Sequence, residues 1–158
     1  MNDPESIDVY RTLLELEPEG WDPECLDEAQ AAVLRHIGGK PLRRFTAADF
    51  YHAIHHNLGL PYIAPLAIER LRQEPLLEAA RYPGDLLVAL MEANMQFWLE
   101  EYKLWLDMIE ILGEVVTTIN ERMESEDRGD YVPWHIGDDF MAALIHFRGI
   151  HRGGDEGA

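Results

Sequence analysis

The chain has 158 residues, of which 30 are Asp or Glu and 13 are Lys or Arg, a formal charge of −17 with histidine neutral. Its 47% apolar and 27% charged residues suit a globular chain with enough core to fold without disulfides or a structural metal. Such a charge excludes sequence-independent nucleic-acid binding and a polybasic membrane anchor, because phosphates and anionic lipids repel it.

Helix punctuation dominates from the start. Ile7, Tyr10, Leu13 and Leu14 fall on one side of a short helix expected from about Glu5 to Leu16, closed by Pro18 and Gly20. Asp22-Pro23 then forms a cap followed by proline at the first helical position. The helix it opens carries Leu26, Ala29, Val33 and Ile37 and is expected to stop at a left-handed Gly38-Gly39. Thr46, with Asp49 three residues on, resembles a capping box for a third helix bearing Phe50, Ala53, Ile54 and Leu58, which Gly59 ends. Pro61 opens the next segment, and Pro65 predicts a kink there or a helix that begins only at that point. After an irregular piece from Leu76 to Arg81, the turn Tyr82-Pro83-Gly84-Asp85 feeds a helix through Leu86, Leu87, Leu90 and Met91.

Residues 94–124 contain no proline and carry two apolar seams. One is Trp105, Ile109, Leu112, Val116, Ile119 and Met123; beside it run Leu104, Met108, Ile111 and Val115. A stripe this wide predicts the central helix of the core, or else an oligomer seam. A polar loop over 124–133, a short helix from Asp138 to Phe147 with Phe140, Leu144 and Phe147 inward, and a frayed tail from Gly149 complete the chain. The expectation is all-α: a single-domain helical bundle over residues 1–158, with about five to seven helices packed around 104–123.

The chemistry of catalysis is thinly supplied. Ser6 and Ser125 are the two serines, and neither sits in a nucleophile elbow. Cys25 has acidic neighbours, which predicts a buried or inert thiol and, with no partner cysteine, a reducing cytoplasmic setting. Gly38-Gly39-Lys40 lacks phosphate-loop spacing. His52 and His56 are four apart on a helix, a spacing able to chelate a metal, but no third ligand follows nearby in sequence, so a solvated or capping cluster is the expectation. Neither a catalytic centre nor a metal or cofactor is expected. The N-terminal residues Asp3, Glu5 and Asp8 do not resemble a secretory signal, and no apolar run of about eighteen residues offers a membrane span.

Charge is unevenly placed. Residues 1–30 hold ten acids against Arg11; residues 31–45 hold Arg35, Lys40, Arg43 and Arg44 and no acid. Residues 82–127 hold eleven acids against Lys103 and Arg122. Charge runs are often no more than solvated helix faces. The size of this imbalance favours a surface for a cationic protein instead.

The middle of the chain carries three ordered marks. The first is Lys40, Pro41, Leu42, Thr46 and Asp49. The second is Asn57, Gly59, Leu60, Tyr62, Pro65, Leu66, Ala67 and Glu69. The third is Pro75, Leu76, Tyr82, Gly84, Asp85, Leu86 and Leu87. Together they resemble the immunity proteins of contact-dependent growth inhibition systems, with weaker echoes at Leu14 to Glu17, Trp21, Phe97-Trp98 and Trp105. The likeness spans about residues 12–112; Glu74 stands where the family pattern has Asn, and His55-His56 where it has Gly-Gln. The resemblance implies a cytoplasmic protein that binds and blocks the toxic C-terminal domain of a cell-surface inhibition protein without doing chemistry itself. The marked residues read mainly as scaffold.

A nuclease toxin holds a phosphate backbone and so has a basic cleft, which an acidic inhibitor can mimic and reach faster than the about 10⁵–10⁶ M⁻¹s⁻¹ of neutral pairs. Candidate toxin-binding residues are Glu15, Glu17, Glu19 and Asp22 at one end and Glu114, Glu121, Glu124, Glu126 and Asp127 at the other. Tyr131 and Trp134 are added as aromatic anchors. The expected partner is the cognate toxin domain, with no nucleic acid and no membrane, and the chain acts as a monomer or a dimer. The competing reading is a helical adaptor or regulatory protein acting through an oligomer seam at 105–123.

Overall fold

A computed structural model describes residues 6–18, 21, 24–127 and 138–151. Among them are eight α-helices and no strand: α1 (Leu13–Leu16), α2 (Glu28–Ile37), α3 (Ala47–His55), α4 (Leu60–Gln73), α5 (Asp85–Glu92), α6 (Met95–Glu100), α7 (Tyr102–Asp127) and α8 (Asp138–Gly149). The all-α expectation holds. The count exceeds five to seven because the stretch from 94 breaks at Glu101 into α6 and α7.

The first helix is shorter than its apolar spacing suggests. Asp8 takes the backbone N–H of Tyr10 and the side chain of Arg11, which folds residues 8–11 into a turn. Thr12 then caps α1 through a reciprocal box with Glu15. The start of α2 is set by Asp27, whose carboxylate accepts from Gln30 N–H while the Gln30 side chain bonds back to Asp27 N–H. The proposed Asp22-Pro23 cap lies outside the described residues. Gly38 is not left-handed; its φ is −61°, and glycine is needed there because a Cβ would meet the Leu34 carbonyl oxygen at 2.5 Å.

Thr46 and Asp49 form the capping box of α3 as the spacing predicts. The left-handed residue that ends α3 is Asn57 (φ 57°), with Leu58 N–H returning to the Ala53 carbonyl. Gly59 (φ 61°) instead opens α4, and its bare Cα lets Leu13 approach: a Cβ would lie 2.7 Å from Leu13 Cδ2. Helix α4 starts at Leu60 and runs through the buried Pro65 to Gln73, so no helix boundary falls at that proline.

The best-buried helix is α5, not α7. Every residue from Asp85 to Met91 is buried, enclosed by α3, α4 and α8. A helix apolar on all sides belongs at the centre. Helix α7 covers one side of α4, with Leu104, Met108, Ile111 and Val115 inward and Met123 58% exposed. It also continues to Asp127, into the segment expected to be loop.

Two indoles fasten the C-terminal half. Trp98 Nε1 donates to the Leu90 carbonyl at the end of α5 (2.9 Å), and Trp105 Nε1 to the Phe147 carbonyl at the end of α8 (3.0 Å). Each supplies a donor to a carbonyl in the last turn of a helix, where intrahelical partners run out. Phe140, Leu144 and Phe147 point inward as predicted. The expected fraying does not begin at Gly149: His151 docks, with Nε2 2.8 Å from the Trp98 carbonyl oxygen. Residues beyond it lie outside the description.

Candidate functional site

Much of the three ordered marks is built into the scaffold, although Glu69 and Tyr82 are exposed. Asp49 is buried and receives Lys40 Nζ at 2.7 Å and the backbone N–H of Thr46 at 3.0 Å. Burial pushes its carboxyl up, but the bonds from Lys40 and Thr46 together outweigh this and hold it below the usual carboxylate range. Leu42 is buried as well. Asn57, besides its left-handed backbone, accepts the Asn94 N–H through Oδ1 at 2.8 Å, which ties the α3–α4 turn to the start of α6. Asp85 is wholly buried and accepts three backbone N–H groups, from Ala79, Ala80 and Arg81, at 2.7–2.8 Å. It organises the irregular piece from Leu76 to Arg81.

Clefts open among the described residues. One, about 420 Å³, lies between the segment after α1, the α3–α4 turn and α6; Glu17, Trp21, Asn57, Phe97 and Glu100 are on its wall. Trp21 Nε1 reaches the Leu13 carbonyl there at 3.3 Å. Burial pushes the Glu17 carboxyl up. Another, about 620 Å³, separates Gln73–Glu78 from Val115, Thr118 and Arg122 of α7.

The sequence candidates fall on separate parts of the molecule. Glu15 is exposed but engaged in capping α1, and Glu17 is half-buried in the first cleft. Glu114, Glu121 and Glu124 are exposed on α7, sharing one face with Glu110. Glu126 and Asp127 end that helix, their side chains undescribed. Glu19, Asp22, Tyr131 and Trp134 lie outside the described residues. Of the 105–123 seam, Trp105, Leu112 and Ile119 are buried in the chain's own core.

Cys25 is exposed, contrary to a buried thiol, because it sits in the turn before α2 rather than beneath it. The histidines pack on one another and on Tyr51: the His55 ring stacks on Tyr51 at 5.5 Å, and His56 meets His55 edge-on at 5.0 Å. Burial first, and then the His55 charge, hold His56 below the ordinary imidazole range. No group of three metal-ligating side chains occurs among the described residues, and no described helix is long and apolar enough to cross a membrane.

The sequence reading missed a run of exposed apolar side chains where α6 meets α7: Met95, Leu99, Tyr102 and Leu106. The available signal was their position off both seams.

The described residues form an all-α fold, in a chain whose formal charge is −17. The family model for CDI immunity proteins matches residues 15–108, and the chain belongs to that family. No curated protein and no solved structure gives a significant match. Membership implies a protein partner, the cognate toxin, and a role in its neutralisation; such families act by inhibition rather than by turnover.

Proposed function

We propose that the chain binds its cognate toxin domain one to one, that this toxin is a basic nuclease, and that acidic surface supplies the attraction. The carrying observation is the charge of −17 on a CDI immunity protein. An enzyme that holds a phosphate backbone presents cations at its cleft. The exposed face of α7, with Glu110, Glu114, Glu121 and Glu124, is suited to meet them. Glu17 supports the same reading, because a carboxylate that burial disfavours gains when a cation arrives. Glu15, Glu19, Asp22, Glu126, Asp127, Tyr131 and Trp134 remain candidates on this reading.

The test is calorimetric and stopped-flow titration of the full chain with the purified toxin domain encoded beside it, at low and moderate salt. The expected result is stoichiometric binding near nanomolar, about −12 kcal/mol, with an association rate that falls steeply as salt rises. Glu114, Glu121 and Glu124 changed together to Gln should lower the association rate and flatten its salt dependence. Tight binding indifferent to salt would keep neutralisation and remove the electrostatic mechanism.

A further inference from the structure

The apolar residues that α6 and α7 leave outside the core form a pattern of their own. Met95 and Leu99 lie one turn apart on α6, and Tyr102 and Leu106 one turn apart on α7, each 44–54% exposed. Glu101 joins the helices: its N–H donates to the Phe97 carbonyl and its own carbonyl accepts from Trp105 N–H. The chain between Leu99 and Tyr102 is short enough to keep their Cα atoms within about 10 Å. Four large apolar side chains in succession leave on the order of 300 Å² of apolar surface in water, at the lower end of the largest patches that monomers carry, which are often functional.

Tyr102 is held in place before any partner arrives. Its ring stacks on Trp105, with centroids 5.8 Å apart and planes 18° off parallel, and meets the His151 ring edge-on at 4.9 Å. His151 is itself fixed against the Trp98 carbonyl and the Trp105 ring. A side chain already fixed loses little freedom on binding. Aromatic residues set in the middle of a patch tend to dominate interface energy.

The surroundings choose the occupant. Glu100 and Glu101 separate the two apolar pairs, Lys103 stands beside Tyr102, and Glu110 follows one turn after Leu106, so acids outnumber bases around the patch. A second copy related by a two-fold axis would bring the same acids face to face. A basic surface with an apolar centre satisfies both features. We infer that Met95, Leu99, Tyr102 and Leu106 are the apolar anchor of the surface that docks a cationic toxin domain, continuous with the acidic face of α7. This rests on the neutralisation reading above. Steering by α7 sets how fast the complex forms, and the anchor sets how long it lasts.

The experiment uses the full chain and the toxin domain encoded beside it, with Tyr102→Ala and, as a change on an exposed helix position, Leu106→Lys. Circular dichroism confirms that each is folded. Each variant should weaken binding by about thirtyfold or more, through faster dissociation, with the salt dependence of association kept. Wild-type binding that neither variant alters overturns the anchor and leaves neutralisation standing. Absence of wild-type binding overturns the neutralisation reading and the anchor with it. A wild-type dimer that Leu106→Lys dissolves would give the patch to a second copy and overturn the assignment of its occupant.

Discussion

Two buried carboxylates do opposite kinds of work for the same fold. Asp85 carries no salt bridge among the described pairs; its oxygens instead gather the N–H groups of Ala79, Ala80 and Arg81. Truncation would strand three donors, so Asp85→Ala should lose about 3 kcal/mol or more in urea denaturation. Asp49 is paired, with Lys40 and Thr46 holding its carboxyl below the usual range. A depressed folded-state pKa adds stability at neutral pH that disappears as pH falls through the folded value. Asp49→Asn should therefore cost about 2 kcal/mol at pH 7. The gap to wild type should narrow once pH drops below about 3.9, measured by denaturation from pH 7 down to pH 3. Thr46 with Asp49 was legible in the sequence because a capping box is a local pattern. The bonds of Asp85 were not, since their partners lie four to six residues back in a loop with no periodicity.

At the level of elements, the longest helix is not the central one. Helix α7 has two seams, yet it lies against one side of α4, while the eight-residue α5 is closed in all round. Leu90→Ala, in a fully buried site, should cost about 3 kcal/mol. Met123→Ala, on the seam but 58% exposed, should stay within about 0.5 kcal/mol; thermal melts of the pair decide between the two helices. Periodicity ranks long helices well because it needs several turns to register. An eight-residue run such as Asp85 to Glu92 offers two turns, and its signal was the absence of a polar face rather than a repeat. The same limit explains α1: Ile7 and Tyr10 had helical spacing, but the Asp8 turn uses the backbone groups that a helix would need.

For the whole molecule, segregated charge and the family frame were readable from residues, whereas the apolar patch at the α6–α7 junction showed only as apolar residues lying off both seams. Charge is a sum and survives ignorance of the fold. Exposure of Leu99 or Leu106 depends on which way two helices turn about Glu101, which no residue type announces. If the steering and anchoring functions are divided as argued, their variants should combine nearly additively. Glu114, Glu121 and Glu124 to Gln together with Tyr102→Ala should multiply the separate losses in affinity, because the acids lie at least three turns along α7 from Tyr102. A strongly non-additive result in a double-mutant cycle would place both sets in one contact.

The cover that α8 lays over α5 carries a consequence for the newborn chain. Helix α5 is complete at Glu92, and α8 does not begin until Asp138, 46 residues later. At a synthesis rate of about 5–20 residues per second, one side of the most apolar helix waits several seconds for its lid. In that interval α3 and α4 are already available to pack on α5, but Trp98 still lacks Phe147, its perpendicular neighbour at 5.0 Å. A ribosome paused between these two helices therefore leaves leucines of α5 without the cover of α8, and nascent chains arrested there should recruit chaperones that released full-length chains do not.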